Sequence, residues 1–274
     1  MTRWAIAVLA AGVGLVAASA RAGDAEVVNA PTVFASRTLP SSAVTSFAVK
    51  CPPGHVATSG GVSSPPAGAG VLRIAPRGVG TYSFRLANPT AGPKRVGVAV
   101  TCRKVESGPR LTVRHVQTTF RVGSDSQRSA RLACPSRTTA AGWGVDVDGT
   151  ALELRVASAT LRGFRFTLHN TRSRARRATV YGNCVTVLRS AGAAPAPLRV
   201  KITTWTDAVV LSRQHYRHRC PSGWFSLGAG FAVGRPSLHL AGAAAVQGGG
   251  SWWVTHDASD QARVQLQLSC GRLG

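Results

Sequence analysis

The chain has 274 residues, of which 33 are basic and 10 acidic, so its formal net charge is +23, and 44% of the residues are hydrophobic. This length allows one large all-β domain or two to three small ones. Arginine supplies most of the charge, and so positive a field attracts anionic polymers or anionic membrane surfaces. After the first residues no apolar stretch reaches the ~20 residues of a membrane helix, which excludes a membrane span there.

The first 22 residues have the organisation of a secretory signal peptide. Arg3 precedes an apolar stretch from Trp4 to Ala18, and Ala20-Arg21-Ala22 fits a small-residue cleavage pattern. A membrane anchor is the alternative, but an apolar core of about 15 residues is shorter than a spanning helix requires. We therefore expect export, with the mature chain starting near Gly23.

A repeated pattern organises the rest of the chain. Three blocks each open with Cys-Pro, continue into a glycine-rich segment and end at a second cysteine about 50 residues later. The blocks open at Cys51, Cys134 and Cys220. This self-similarity predicts three tandem repeats of about 80 residues, spanning 23–105, 106–190 and 191–274.

Short segments of alternating polar and apolar residues fill each repeat. Val96, Val98 and Val100 precede Cys102 at two-residue intervals, which is typical of a half-buried strand. Frequent Gly, Pro and Thr, without an amphipathic helix pattern, predict an all-β fold. The three repeats are expected to form either sandwich-like modules, joined by linkers near 106–110 and 190–197, or one pseudo-threefold β core.

Six cysteines in an exported chain are expected to form disulfides. Of the fifteen possible connectivities, the repeat favours the one in which each block closes its own loop. The predicted pairs are Cys51–Cys102, Cys134–Cys184 and Cys220–Cys270. Zinc and redox sites use close C-x2-C spacing, which this sequence lacks, so we expect no metal and no cofactor.

Each Cys-Pro start predicts the end of a strand followed by a tight turn, because proline has no N–H for the sheet. Gly54 and Gly223 can adopt the positive φ that such a turn requires. Arg137 stands at the matching place in the second block, so a different turn is expected there. The glycine-rich segment that follows predicts a bulge, or a close approach of another backbone or a large ring.

The shared pattern C-P-x-[GR]-x4-[GS]-x-G-[VF], with an aromatic strand and a strand that ends at the last cysteine, resembles a repeat of secreted actinobacterial proteins. The resemblance covers the whole mature chain three times. The chain is also distantly similar to vitelline membrane outer layer proteins, in which threefold-repeated C-P-x-G segments form a β-prism. These resemblances imply an exported, disulfide-linked β protein, with a β-prism-like arrangement as one alternative. They transfer no catalytic residue.

Two polar groupings could carry chemistry, and each has a simpler structural interpretation. Asp146 and Asp148 would face the same side of a strand, but this segment also has an ordinary turn signal. Ser251 lies near His256-Asp257, yet no nucleophile motif surrounds it. We therefore predict that the protein is not an enzyme.

A basic loop precedes the last strand of the second repeat, and two basic residues occupy the matching place in the first. A loop that recurs at one end of each module predicts a basic face for polyanions. The candidate polyanion-binding residues are Arg172, Arg174, Arg176, Arg177, Lys94 and Arg95.

Two adjacent tryptophans, Trp252 and Trp253, lie in the predicted aromatic strand of the third repeat. Strand neighbours face opposite sides, so alternation favours one outward indole. An exposed indole on a β scaffold can stack on a sugar ring, although tryptophan more often fills a core. Both residues are therefore candidates for sugar stacking.

These patterns favour a non-catalytic binding or structural protein of the cell envelope or extracellular space, held to anionic polymers or to an anionic membrane surface by charge. A lectin-like carbohydrate-binding protein is the first alternative, and a secreted hydrolase is the second. Export argues against a nucleic-acid partner, and no known nucleic-acid-binding motif is present.

Overall fold

The computed structural model describes residues 27–28, 32–105, 110–188, 198–209, 212–234, 238–257 and 262–272. All regular elements of these residues are β-strands, which confirms the predicted all-β class. No helix in these ranges is long and apolar enough to span a membrane. The predicted signal peptide and most of the two predicted linkers lie outside the described residues.

Nineteen strands occupy this part of the chain. The first seven are β1 (Val27–Val28), β2 (Thr32–Leu39), β3 (Ala43–Lys50), β4 (Val56–Ser64), β5 (Gly70–Pro76), β6 (Thr81–Asn88) and β7 (Lys94–Val105). The next six are β8 (Arg110–Val122), β9 (Gln127–Ala133), β10 (Thr139–Val147), β11 (Leu152–Thr160), β12 (Gly163–Asn170) and β13 (Arg176–Leu188). The last six are β14 (Arg199–Val209), β15 (Arg213–Arg219), β16 (Phe225–Val233), β17 (Leu238–Val246), β18 (Gly249–His256) and β19 (Ala262–Arg272).

These strands pair in four antiparallel sheets. In the first sheet β7 pairs with β1, β2 and β4. The second sheet has the strand order β3-β6-β5-β10-β13-β8, and the third has the order β14-β19-β16-β11-β12-β9. The fourth sheet has the order β15-β18-β17.

Each six-stranded sheet combines strands from two predicted repeats. In the second sheet β5 pairs with β10, with Ile74 opposite Val145. In the third sheet β11 pairs with β16, with Ala157 opposite Phe231. Separate sandwich-like modules, one of the two predicted arrangements, are therefore not formed, and the four sheets do not coincide with the three predicted repeats.

The four sheets form a ring that contains three apolar clusters. The ring closes because β4 lies against both β5 and β17, and β16 lies against both β10 and β17. The largest core cluster contains Trp252, Phe166, Phe231 and Leu266, all with 1% exposure or less. Alternating apolar residues on most strands, such as Val96, Val98 and Val100 of β7, supply these clusters, as the two-residue periodicity of the sequence predicts.

The glycine-rich segments lie where the predicted repeats contact one another. β4, β10 and β16 each contain a β-bulge there, as predicted. The approach of neighbouring backbones is also close, since a Cβ on Gly142 would lie 2.3 Å from the carbonyl oxygen of Thr58. Similarly, a Cβ on Gly228 would lie 2.2 Å from the carbonyl oxygen of Ala141. Only glycine fits at these two positions.

Three disulfides join the cysteine pairs that the repeat predicts. They are Cys51–Cys102, Cys134–Cys184 and Cys220–Cys270. Each disulfide ties the Cys-Pro turn to the last strand of its own block. Three disulfides are consistent with folding in an oxidising compartment.

The turns after the three opening cysteines have the same hydrogen bond, so the expected difference at Arg137 is wrong. The N–H of Thr138 donates to Pro135 O at 3.2 Å, and its counterparts in the other turns are His55 to Pro52 and Trp224 to Pro221. Arg137 adopts a φ of 61°, in the left-handed region that Gly54 and Gly223 also occupy. The disulfide and the flanking strands hold this arginine in a conformation that favours glycine.

We expect Arg137→Gly to stabilise the protein by about 0.5–1 kcal/mol. The substitution removes left-handed strain of about 1–2 kcal/mol at an exposed residue, and the greater freedom of glycine in the unfolded chain offsets part of that gain. Chemical denaturation of the two proteins measures the difference. Ser136→Gly is the matched control in the same turn, and it should destabilise because Ser136 has no positive φ to relieve. A lower midpoint for Arg137→Gly would contradict this account.

Candidate functional site

Three of the predicted polyanion-binding arginines line one groove at the end of the second and third sheets. Arg172 and Arg174 lie in the loop between β12 and β13, and Arg176 begins β13. Opposite them lies the turn between β10 and β11, residues 149–151. Arg172 and Arg174 are exposed, and Arg176 is half-buried. Two arginines of the loop and one at the start of β13 therefore line one concave surface, where Arg176 Nη1 donates to Asp148 O at 3.5 Å.

Asn170 holds this arginine-bearing loop in place. Its fully buried side chain donates to Gly123 O and to Arg174 O, both at 2.8 Å, and accepts the N–H of Arg172 at 3.2 Å. The N–H of Asp125 in the neighbouring loop also donates to Arg172 O at 3.1 Å. The arginine backbone is thus ordered by both loops, which lowers the entropy lost when an anion binds.

Further arginines lie on β8, β9 and β13, near the loop that carries Arg172 and Arg174. Arg177 lies directly opposite Arg121 on the β13–β8 ladder, and both are exposed. Exposed Arg128 donates to Arg121 O at 2.8 Å. Like charges directly opposite one another destabilise a sheet, so a folding role does not explain the Arg121–Arg177 pair. We call the following set the arginine surface: Arg121, Arg128, Arg172, Arg174, Arg176 and Arg177.

Lys94 and Arg95 are not part of this surface. They begin β7 in the first sheet, where they lie opposite Leu39 and Thr38 on β2. Arg95 Nε donates to Ser36 Oγ at 2.7 Å. The structure therefore separates the two predicted basic groups, which belong to different sheets.

The two candidate sugar-stacking tryptophans have different environments. Trp252 has 0% exposure and donates its Nε1–H to Gly230 O at 2.8 Å, so it is a core residue that cannot stack on a sugar. Trp253 is half-buried and donates to Ser63 O. The His215 ring stacks on it at 4.2 Å between centroids, and the Arg213 guanidinium lies 4.8 Å from its centroid. The protein's own side chains therefore occupy much of this indole.

In the described residues, Ser251 and Asp257 contact histidines other than His256. Ser251 Oγ instead lies 2.8 Å from His215 Nε2, and Asp257 Oδ2 lies 3.1 Å from His239 Nε2. Asp146 serves a structural role, since it pairs with Arg73 at 3.6 Å and with Arg85 at 3.2 Å across the junction of β5 and β10. Each of these contacts links strands, or a strand end, of one sheet.

A cavity of about 160 Å³ opens beside the arginine groove. Strands β5, β10, β11, β16 and β17 contribute to its wall. Trp143 and Phe231 line its buried part, and the half-buried Val71, Leu154 and Leu240 line the rim. Thr150 borders both the cavity and the groove, so the two are adjacent.

A polar cluster lies on one wall of this cavity. Glu153 pairs with Arg155, whose Nη1 donates to Leu238 O at 2.9 Å. His239 Nδ1 is 3.8 Å from Glu153 Oε1, and His169 Nδ1 is 3.9 Å from Glu153 Oε2. Because these residues come from β11, β12 and β17, no local motif could have indicated the cluster. The only sequence signal was the rarity of acidic residues, which makes each one informative.

One basic side chain, that of Arg103, is buried and is not part of the positively charged surface. Arg103 has 0% exposure and donates to Cys102 O at 2.9 Å and to Ser226 O at 3.1 Å. Its guanidinium also lies 5.7 Å from the ring centroid of Phe225. Burial lowers the pKa of this arginine to about 10, because the charged form loses its hydration.

In the described part of the chain, no group of three or more His, Cys, Asp or Glu side chains could hold a metal ion. No protein-family model matches the sequence, and a search of curated proteins finds no significant relative. The functional interpretation therefore depends on the residues and their geometry.

Proposed function

We propose that this is an exported, non-catalytic protein that binds anionic polymers of the cell envelope or extracellular space through the arginine surface. The observation that carries the proposal is the ordered loop with Arg172, Arg174 and Arg176 around one groove. None of these three forms an ion pair within the described residues, whereas each of several acidic residues elsewhere has a basic partner.

Local charge supports the same function. Six arginines form the surface, and the two acidic residues whose backbone N–H groups bond to it, Asp125 and Asp148, leave a clear positive excess. Guanidinium groups bind phosphate, sulfate and carboxylate oxygens through paired hydrogen bonds. The groups are exposed, so salt should screen their attraction for a polymer. At physiological ionic strength this attraction decays over a Debye length of about 8–10 Å.

The lectin-like and hydrolase alternatives have less support. A lectin of the predicted kind needs an outward aromatic platform, and Trp252 lies in the core while His215 covers part of Trp253. The hydrolase alternative relied on the pair Asp146 and Asp148 and on Ser251 near His256-Asp257. Asp146 pairs with Arg73 and Arg85, and Ser251 and Asp257 contact other histidines. Polyanion binding is the function that uses the arginine surface, which is the most unusual feature of the exposed residues.

The test is the replacement of Arg172, Arg174, Arg176 and Arg177 by Gln. Binding to long-chain polyphosphate and to dextran sulfate should weaken about tenfold or more at low salt, since each basic group near an anionic surface contributes on the order of 1 kcal/mol. Wild-type binding should also fall steeply as salt rises. Affinity is measured by fluorescence anisotropy, with uncharged dextran as the blank.

The matched control removes the same charge elsewhere, from exposed residues that belong neither to the groove nor to the arginine surface. These residues are Lys50, Arg77, Lys104 and Arg199. The control variant should lose less than about threefold, because nonspecific attraction depends on net charge while the groove remains intact. Equal losses in the two variants would show that the arginine surface is not a site. Preferential binding to anionic lipid vesicles over both polymers would identify a membrane partner instead.

We also propose that three repeats with a pseudo-threefold, β-prism-like relation underlie the ring. The pairings β2-β7-β4, β8-β13-β10 and β14-β19-β16 correspond, as do β3-β6-β5, β9-β12-β11 and β15-β18-β17. The contact of β4 with β17 corresponds to the β5–β10 and β11–β16 junctions. Matching glycines support this relation, since a Cβ on Gly61, Gly144 or Gly230 would lie within 2.6 Å of the adjoining strand's carbonyl oxygen.

A further inference from the structure

We propose that the cavity and the adjoining arginine groove form one binding site for an amphipathic organic phosphate. Its apolar part, of about six carbons, would fill the cavity, and its phosphate would contact Arg172 and its neighbours. This inference rests on the proposed function, because the anionic half of the site belongs to the arginine surface.

The size and lining of the cavity define the apolar half of the ligand. Its volume of about 160 Å³ is close to the ~150 Å³ of an apolar protein cavity that holds one benzene molecule. The indole of Trp143 donates its Nε1–H to Ala229 O at 2.6 Å, so this ring offers the cavity an apolar surface only. Phe231, Leu152 and Leu238 complete the buried wall. Apolar walls with a few polar groups at one side are typical of small-molecule sites.

The groove defines the polar half. Thr150 is exposed and borders both spaces, so a ligand that enters the cavity beside Thr150 has its outer end next to the loop of Arg172 and Arg174. Three arginines line one groove, and a phosphate monoester offers them three terminal oxygens as hydrogen-bond acceptors. A carboxylate has only two oxygens and would therefore form fewer hydrogen bonds with the three arginines.

Glu153 does not oppose an anion at this position. Its carboxylate is paired with Arg155 and flanked by His169 and His239, so the charge of Glu153 is compensated within the wall. Asp257 contacts the other nitrogen of His239 and is exposed. Arg155 has 7% exposure, and its bonds to Glu153 and Leu238 O direct it along the wall. The positive excess of the site therefore lies at the groove, where the phosphate is placed.

Calorimetric titration of the mature protein with inorganic phosphate and with propyl, hexyl and nonyl phosphate tests the inference. Affinity should increase about fourfold for each added methylene until the cavity is full, near six carbons, and then level off. Hexanol and hexanoate should both bind more weakly than hexyl phosphate, because hexanol has no anion and hexanoate has a smaller one.

Two cavity-filling variants test whether the alkyl chain binds in the cavity. Two are used because one of them could fail to fold. Leu154→Trp and Ala241→Leu each add volume at half-buried positions of the rim. In a folded variant the affinity should no longer depend on chain length, while polyphosphate binding should be unchanged. Replacing Arg172 and Arg174 by Gln should weaken every phosphate by a similar factor and preserve the dependence on chain length.

The outcomes separate the two proposals. Wild-type affinity that does not change with chain length, together with intact polyphosphate binding, would overturn the composite site and leave the proposed function standing. Chain-length dependence that persists in both filled variants would also overturn it, because the alkyl group would then bind elsewhere. Loss of binding to polyphosphate and to every alkyl phosphate would overturn both proposals.

Discussion

Gly142→Ala should destabilise the protein by about 3 kcal/mol or more, one of the largest effects expected of any single methyl group in this chain. The added Cβ would lie 2.3 Å from Thr58 O, 2.6 Å from Ser59 Cα and 2.8 Å from Ser59 Cβ. Two of these three atoms are backbone, so a rotamer change cannot relieve the clash. Relief requires β4 and β10 to move apart, which disturbs the packing of two sheets.

The matched control is Gly92→Ala. Gly92 is exposed, its φ is not positive, and no heavy atom lies within 4 Å of the position that the added methyl group would take. This substitution should be neutral or stabilise by about 0.4–1 kcal/mol, because alanine has less freedom than glycine in the unfolded chain. Denaturant unfolding of both variants measures the contrast. Similar stability changes at the two glycines would show that β4 and β10 do not approach as closely as described.

The sequence predicts the local elements of this fold well, because each depends on nearby residues. Val96, Val98 and Val100 alternate with polar or small residues, and all three are buried on β7. The cysteine pairs follow from equal spacing in three blocks, and the bulges follow from glycines that recur after each opening cysteine. Repetition within the chain supplied information that one block alone does not contain.

The junctions between blocks were harder to predict. The β5–β10 and β11–β16 pairings bring together strands from different repeats, and their registers depend on packing across the ring rather than on a local pattern. The cavity depends on the same junctions, because Glu153 and His239 meet only once β11 and β17 are in place. Sequence reasoning therefore identified the arginine loop but missed the cavity beside it.

Alternation also limits what can be inferred about individual side chains. It predicts that one of Trp252 and Trp253 faces inward, and Trp252 does. It could not predict that His215, on the neighbouring strand, would stack on Trp253. Cross-strand register decides that contact, since His215 lies directly opposite Trp253 on the β15–β18 ladder.

Removal of any one disulfide should destabilise the protein by about 4 kcal/mol, with nearly the same loss at each of the three sites. The closed loops span 51, 50 and 50 residues, and in the chain-entropy model loop length sets the unfolded-state entropy that each crosslink removes. The double variants Cys51→Ala/Cys102→Ala, Cys134→Ala/Cys184→Ala and Cys220→Ala/Cys270→Ala test this by chemical denaturation. Each variant retains the other two disulfides.

Equal losses of about 4 kcal/mol would match the loop-closure contribution that the chain-entropy model gives for each site. Cys102, Cys184 and Cys270 each have 1% exposure or less, so the cavity left by a removed sulfur should be similar at each site. The Cys-Pro turns differ, since the second has the strained Arg137. A loss at Cys134–Cys184 smaller by about 1 kcal/mol would show that the disulfide maintains that strain and that its removal relieves it. A disulfide whose removal has no effect would contradict the entropic account for that block.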